Sequence, residues 1–158
     1  MDVSLSKAEL KDVETIYEMQ IKSFMVLLER YQDFETNPGN ESIEKIVARI
    51  NQSFTDYYII KSDDVSVGSV RIVKKDNNTY RISPIFVLPE YQGRGIAQKV
   101  FQMLEQNYYY AKKWELDTIL QEQGNCYLYE KLGYRKTGKT EIVNNKMTLV
   151  FYEKNFAE

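Results

Sequence analysis

The spacing of apolar positions changes several times along this chain, and each change marks an element. Val13, Ile16, Tyr17, Gln20, Phe24, Leu27, Leu28 and Tyr31 recur at intervals of three and four, with one polar interruption at Gln20. That spacing predicts a helix over Val13–Tyr31 with Asp12 as its cap, after a short extended start at Val3–Leu5. Residues 29–41 contain turn formers and no long apolar period. They read as a connection to a second helix, Ser42–Ile50, whose Ile43, Ile46, Val47 and Ile50 form one stripe. Strand signals follow at Tyr57–Lys61, at Val65–Val73 around Gly68, and at Thr79–Leu88. The last two read as a hairpin turning at Asp76-Asn77-Asn78. Pro84 removes a ladder hydrogen bond from the third run. Because Ile85–Leu88 is apolar throughout and reads as buried, the proline predicts a bulge rather than an edge.

From Gly95 to about Tyr108 the helical period returns: Ala97, Val100, Phe101, Leu104 and Tyr108 form a stripe with polar residues off it. Trp114–Leu120 reads as a strand. Asn125–Leu132 reads as a short helix stopped by Gly133, a natural residue just past a helix end. Tyr134–Thr137 and Lys146–Tyr152 close the chain as strands joined around Asn144-Asn145. Without repeats or low-complexity tracts, this order predicts one mixed α/β domain over residues 1–158.

Composition narrows the chemistry. A chain of 158 residues supports one sizeable core. A net charge of −2 gives no basic field to attract nucleic acid. No apolar run approaches the ~20 residues that span a bilayer, so no membrane partner is expected. Cys126 is alone, which rules out an internal disulfide framework, and MDVSLSKAEL has neither the basic nor the apolar region of a secretory leader. The expected location is the cytoplasm. There is no histidine. Ser–His and Cys–His nucleophile systems in cis are therefore excluded, as are zinc sites built on imidazole, and no metal is expected. A general base must be a carboxylate, a tyrosine, a lysine, a terminus or water.

Two stretches look built for phosphate. Gly133-Tyr-Arg-Lys-Thr-Gly-Lys-Thr140 fits the phosphate-loop pattern G-x-x-x-x-G-K-[ST]. Its surroundings have the wrong order, however: a short helix precedes it, and a turn and a β-branched strand follow. The eighteen residues after Thr140 are too few for a nucleotide-hydrolysing sheet. A helix stop followed by a solvated basic hairpin is the better reading. The other stretch, YQGRGIA, lies between a strand and an amphipathic helix. Gly93 and Gly95 permit positive φ and close approach there, and the first helical turn leaves N–H donors bare. Arg94 adds charge. The third glycine of a dinucleotide fingerprint is missing.

The run Val-Leu-Pro-Glu-Tyr-Gln-Gly-Arg-Gly-Ile-Ala (87–97) resembles the acetyl-CoA signature [QR]-x-x-G-x-[GA] of the GNAT N-acetyltransferases, with Gln92, Gly95 and Ala97 at its fixed positions. Leu-Tyr-Glu-Lys-Leu-Gly-Tyr (128–134) resembles that family's second signature, a short helix with a tyrosine before a terminal glycine. Element order is similar over nearly the whole chain. The resemblance implies a mixed α/β fold with a mostly antiparallel sheet of about six or seven strands, bulged and splayed in the middle, flanked by about four helices.

It also implies an activity: transfer of acetyl from acetyl-CoA to an amine, directly in a ternary complex and without a metal. By the same resemblance the CoA pyrophosphate sits on the amides of Gln92, Gly93, Arg94, Gly95, Ile96 and Ala97. Amides near Ile85, Phe86 and Val87 pair with the pantetheine arm and polarise the thioester carbonyl. Tyr129 matches the tyrosine that protonates the departing thiolate. Family members often carry asparagine seven positions before this tyrosine, where this chain has Glu122; Asn125, four positions ahead, is the candidate for that cofactor contact. Cys126 reads as a small buried packing residue rather than a nucleophile. Glu29, Asp33 and Glu35 fall in the segment that borders the acceptor pocket in similar proteins. The expected acceptor is a small-molecule, peptide or protein amine. A homodimer is common in such proteins, and the alternative function is a non-catalytic acyl-CoA-binding or regulatory module.

Overall fold

The computed structural model describes residues 1–156. Seven strands, β1 (Val3–Lys7), β2 (Thr55–Ser62), β3 (Val65–Lys75), β4 (Thr79–Val87), β5 (Lys113–Ile119), β6 (Arg135–Asn144) and β7 (Met147–Asn155), form one sheet in the order β1-β2-β3-β4-β5-β7-β6. Four helices accompany them: α1 (Val13–Tyr31), α2 (Ile43–Ile50), α3 (Ile96–Asn107) and α4 (Gln123–Lys131). All pairings are antiparallel except β4 with β5, which the crossover through α3 makes parallel. The sheet is covered on both faces. Period-two alternation in β2 sends Tyr57 and Ile59 toward Ile16, Met19 and Ile46 of α1 and α2. Ile60 goes the other way, joining Val100, Phe101 and Leu104 of α3 with Trp114. Burying each large apolar side chain contributes about 1.5–3 kcal/mol, which selects this register over a one-residue slip.

The third and fourth strands have the predicted irregularity. Their register shifts between Val70 and Ile72, opposite Ile82–Ile85, where Pro84 breaks the ladder. Arg71 donates to the Ser83 carbonyl at 2.9 Å. Nearby, Gly68 lets the strands approach: a β-carbon built there would lie 2.1 Å from the Phe86 carbonyl oxygen. Past this point the sheet parts. β4 and β5 pair only over Thr79–Arg81 with Lys113–Glu115, leaving the rest of β4 without a partner on that side.

Most element ends fall within three residues of the sequence pattern, and three differences have a physical reason. Asp12 stands at the N-cap position of α1 as expected, but its side chain makes no cap bond there; it ends a 3-10 turn, and its carboxylate accepts the Glu9 N–H at 2.9 Å. α4 begins at Gln123 rather than Asn125. β6 runs ten residues instead of four, because it is an exposed edge strand paired to β7 rather than a core strand with alternation. GYRKTGKT lies at the end of α4 and along this hairpin, with Gly133 at φ 97°. Away from the parting, Asp56 accepts from the Tyr108 hydroxyl at 2.5 Å and pairs with Lys7 at 3.0 Å and Lys74 at 3.3 Å. Burial raises the pKa of this carboxyl, but those bonds outweigh it and hold it below the usual range. Among the described residues no helix is long and apolar enough to cross a membrane.

Candidate active site

Where β4 leaves β5 a cleft of about 810 Å³ opens, walled by β4, the turn before α3, α4 and α1. Its floor is Ile85, Phe86 and Val87, whose ladder bonds run only to β3. Phe24 of α1 meets Phe86 edge-on at 5.7 Å and closes that side.

The turn is fixed by its own chain. Pro89–Tyr91 form one 3-10 turn, and the Gln92 side-chain amide donates to the Val87 carbonyl at 2.9 Å. Gly93 and Gly95 take φ of 76° and 80°, and a β-carbon on either would project into open space. Among the described residues, the amides of 93–97 have no backbone acceptor. They therefore offer a row of donors at the positive end of α3, a cradle that fits a diphosphate. Two predicted residues sit differently. The Gln92 N–H is already given to Pro89 O at 3.2 Å. Arg94 lies outside the cleft lining; it stacks over Tyr91 at 5.2 Å and donates to the Glu90 carbonyl at 3.1 Å. Gln92, Gly93, Gly95, Ile96, Ala97, Asn125 and Tyr129 all line the cleft with the β4 residues.

On α4 and its cap, Glu122, Asn125 and Tyr129 recur at three- and four-residue steps and face this space. The Tyr129 ring is held edge-on by Phe101 at 5.7 Å and Tyr134 at 6.3 Å. Its hydroxyl bonds to no side chain among the described residues. Burial, with a smaller contribution from Cys126, pushes its pKa up to about 12. It therefore stays protonated at working pH and can act only as a proton donor there. Cys126 is buried, with Sγ 3.8 Å from the Ile119 carbonyl and outside the lining.

The far end of the cleft belongs to α1. Ser23, Phe24, Val26, Leu27 and Arg30 line it. Arg30 donates to Glu122 Oε2 at 2.6 Å, and the Tyr31 hydroxyl donates to the same oxygen. Tyr31 is buried in a small cluster with Ile119 and Met147. The acidic residues expected here lie elsewhere. Glu29, Asp33 and Glu35 are absent from the lining, and Asp33 is buried with its carboxylate on the Thr36 N–H at 3.0 Å and the Thr36 hydroxyl. Among the described residues the one carboxylate facing the cleft is Glu122, which in the sequence stood out only as a substitution for asparagine.

A family model for the acetyltransferase (GNAT) domain matches residues 27–156. The chain belongs to the GNAT acetyltransferase family. Solved GNAT structures superpose on this acetyltransferase nearly end to end at low identity. The Escherichia coli ribosomal-protein-S18-alanine N-acetyltransferase gives a TM-score of 0.79 at 12% identity, covering 99% of this chain and 96% of that one. The PaiA N-acetyltransferase of Thermoplasma acidophilum, solved with coenzyme A, gives 0.77 at 17% identity, covering 99% and 100%. The Vibrio cholerae spermidine N-acetyltransferase, solved with coenzyme A and spermine, gives 0.76 at 16% identity, covering 97% and 95%. Curated protein sequences include no significant match. At these identities the neighbours establish the acetyltransferase's fold, including its seven-stranded sheet and four helices.

Proposed function

We propose that this acetyltransferase, as a single domain over 1–158, moves an acetyl group from acetyl-CoA to an amine directly in a ternary complex. One observation carries the reading: Tyr129, whose hydroxyl has no partner among the described residues, lines the same cleft as the bare amides of 93–97. Acetyl-CoA supplies an activated thioester. The amides from Gly93 to Ala97 hold its diphosphate, and Asn125 adds a polar contact from α4. Backbone of β4 at Ile85, Phe86 and Val87, which pairs with β3 but has no strand on its β5 side, aligns the pantetheine arm and polarises the carbonyl. Tyr129 gives its proton to the departing sulfur. A free phenol near ~10 is matched to a thiol near ~8.5. The apolar walls that raise the Tyr129 phenol also raise the proton affinity of a thiolate placed beside it, so the two stay matched.

The acceptor is an amine. The named neighbours span the range from spermidine to an alanine of ribosomal protein S18. The test is Tyr129→Phe. We expect turnover about 10²-fold lower with coenzyme A affinity unchanged. Full activity in that variant would remove Tyr129 from the mechanism. Tight coenzyme A binding with no turnover of any amine by the wild type would favour a non-catalytic acyl-CoA-binding module instead.

A further inference from the structure

We propose that Glu122 receives the ammonium group of the acceptor and takes its proton, so that base and acid of the transfer stand on one face of α4. The inference rests on the transferase reading above and adds the residue and the substrate class at its acceptor end.

A histidine-free chain leaves few bases, and among the described residues the titratable side chains lining the cleft are Arg30, Tyr91, Glu122 and Tyr129. Arginine is a permanent cation, and Tyr129 is committed as the donor. Glu122 is the one carboxylate in this set, the group type that both attracts an ammonium and accepts its proton.

Geometry supports the choice. Glu122 stands at the N-cap position of α4 with its side chain free of the cap, and Tyr129 lies seven residues on, so the two share a helix face about 10 Å apart along the axis. A long helical side chain leans toward the N-terminus, which brings the Tyr129 hydroxyl back toward Glu122. The interval is filled by cleft. The carboxylate is also aimed. Arg30 and Tyr31 both donate to Oε2, while Oε1 takes no bond from any described residue. The side chain keeps 21% of its exposure. Arg30 and Tyr31 are thus positioning residues, one from the rim and one from the buried cluster under α1. Glu122 Oε1, without a described partner and beside the apolar side chains of Phe24, Val26 and Leu27, fits the head of an aliphatic primary amine whose carbon chain lies along α1.

The protons balance. The ammonium gives one proton to Glu122 Oε1. The nitrogen lone pair then forms the N–C bond as the C–S bond breaks, and sulfur takes the Tyr129 proton. The second proton lost by nitrogen restores Tyr129 through solvent, and Glu122 discharges to water. One proton is released per turnover.

The test compares wild type with Glu122→Gln on two acceptors. Hexylamine is cationic at neutral pH; trifluoroethylamine is already neutral. Spermidine and a short peptide with a free amino terminus complete the wild-type panel. We expect kcat/KM of Glu122→Gln for hexylamine to fall about 10²-fold at neutral pH, narrowing as pH rises, with a much smaller loss for trifluoroethylamine. Calorimetry with desulfo-CoA in place of acetyl-CoA should show weaker hexylamine binding and unchanged desulfo-CoA binding. Glu122→Asp, which keeps the charge, should recover part of the loss. An equal loss for both amines at every pH would make Glu122 merely structural, and no loss would exclude it. A wild type that binds coenzyme A but acetylates nothing in the panel overturns the transferase reading and this one together, whereas failure of Glu122 alone leaves the transferase intact.

Discussion

Gly68→Ala tests whether the cleft floor depends on the close approach of β3 and β4. The added β-carbon would sit 2.1 Å from the Phe86 carbonyl oxygen and 3.0 Å from the Val87 α-carbon. Ordinary contacts begin near ~3.5 Å, so one strand must move by more than ~1 Å. Both atoms struck are backbone, and no side chain can swing aside. Replacing a strand glycine gains about 0.5–1 kcal/mol of chain entropy, while forcing an extra carbon into a packed site costs about 1–3 kcal/mol. A backbone clash belongs at the upper end, so the net loss is about 2 kcal/mol. The displaced residues are also cleft floor, so the variant should bind coenzyme A more weakly than its stability loss alone explains. Urea unfolding and coenzyme A calorimetry measure the two effects. A variant as stable as wild type, with unchanged affinity, would refute the claim that Gly68 sets this strand spacing.

Other outcomes are expected. Asp56→Asn should lower stability by about 1–3 kcal/mol at neutral pH, mostly through Tyr108, since Lys7 and Lys74 are largely exposed and contribute little. The folded pKa of Asp56 is depressed, so its contribution is complete above the unfolded value near ~3.9 and fades as pH falls through the folded one. The gap between wild type and variant should therefore close in acid, which urea midpoints across pH will show. Lys139→Ala removes an ammonium 4.4 Å above the Phe151 ring and should cost no more than about 1 kcal/mol. Neither that variant nor wild type should bind ATP by calorimetry; wild-type binding lost in the variant would restore GYRKTGKT as a phosphate loop.

Much of the scaffold was legible because it is periodic. The stripe of α1 and the apolar run of β4 each satisfy one spacing, and Pro84 announced the irregularity beside the cleft. The Gly93–Ala97 turn could be read because a strand, two glycines and a helix start are all local. What escaped depends on distant partners. Glu122 acquires its setting from Tyr31, 91 residues earlier, and nothing near Glu122 in the chain marks that meeting. Asp33 looked free because its Thr36 contacts form only when the segment folds back on itself. Asp12 satisfied a turn behind it instead of the helix ahead, since one carboxylate serves either. The length of β6 was hidden because an edge strand wet on both sides has no alternating pattern to betray it.

The short seam between β4 and β5 makes the molecule two half-sheets joined by an isthmus of three residue pairs. Whatever lodges above that isthmus would take the place of an absent strand, beside a stretch of β4 that pairs only with β3. The gap that opens the cleft is also where neighbouring strands of the sheet share the fewest residue pairs. A strand-like occupant would complete the sheet at the one place where the chain leaves neighbouring strands parted.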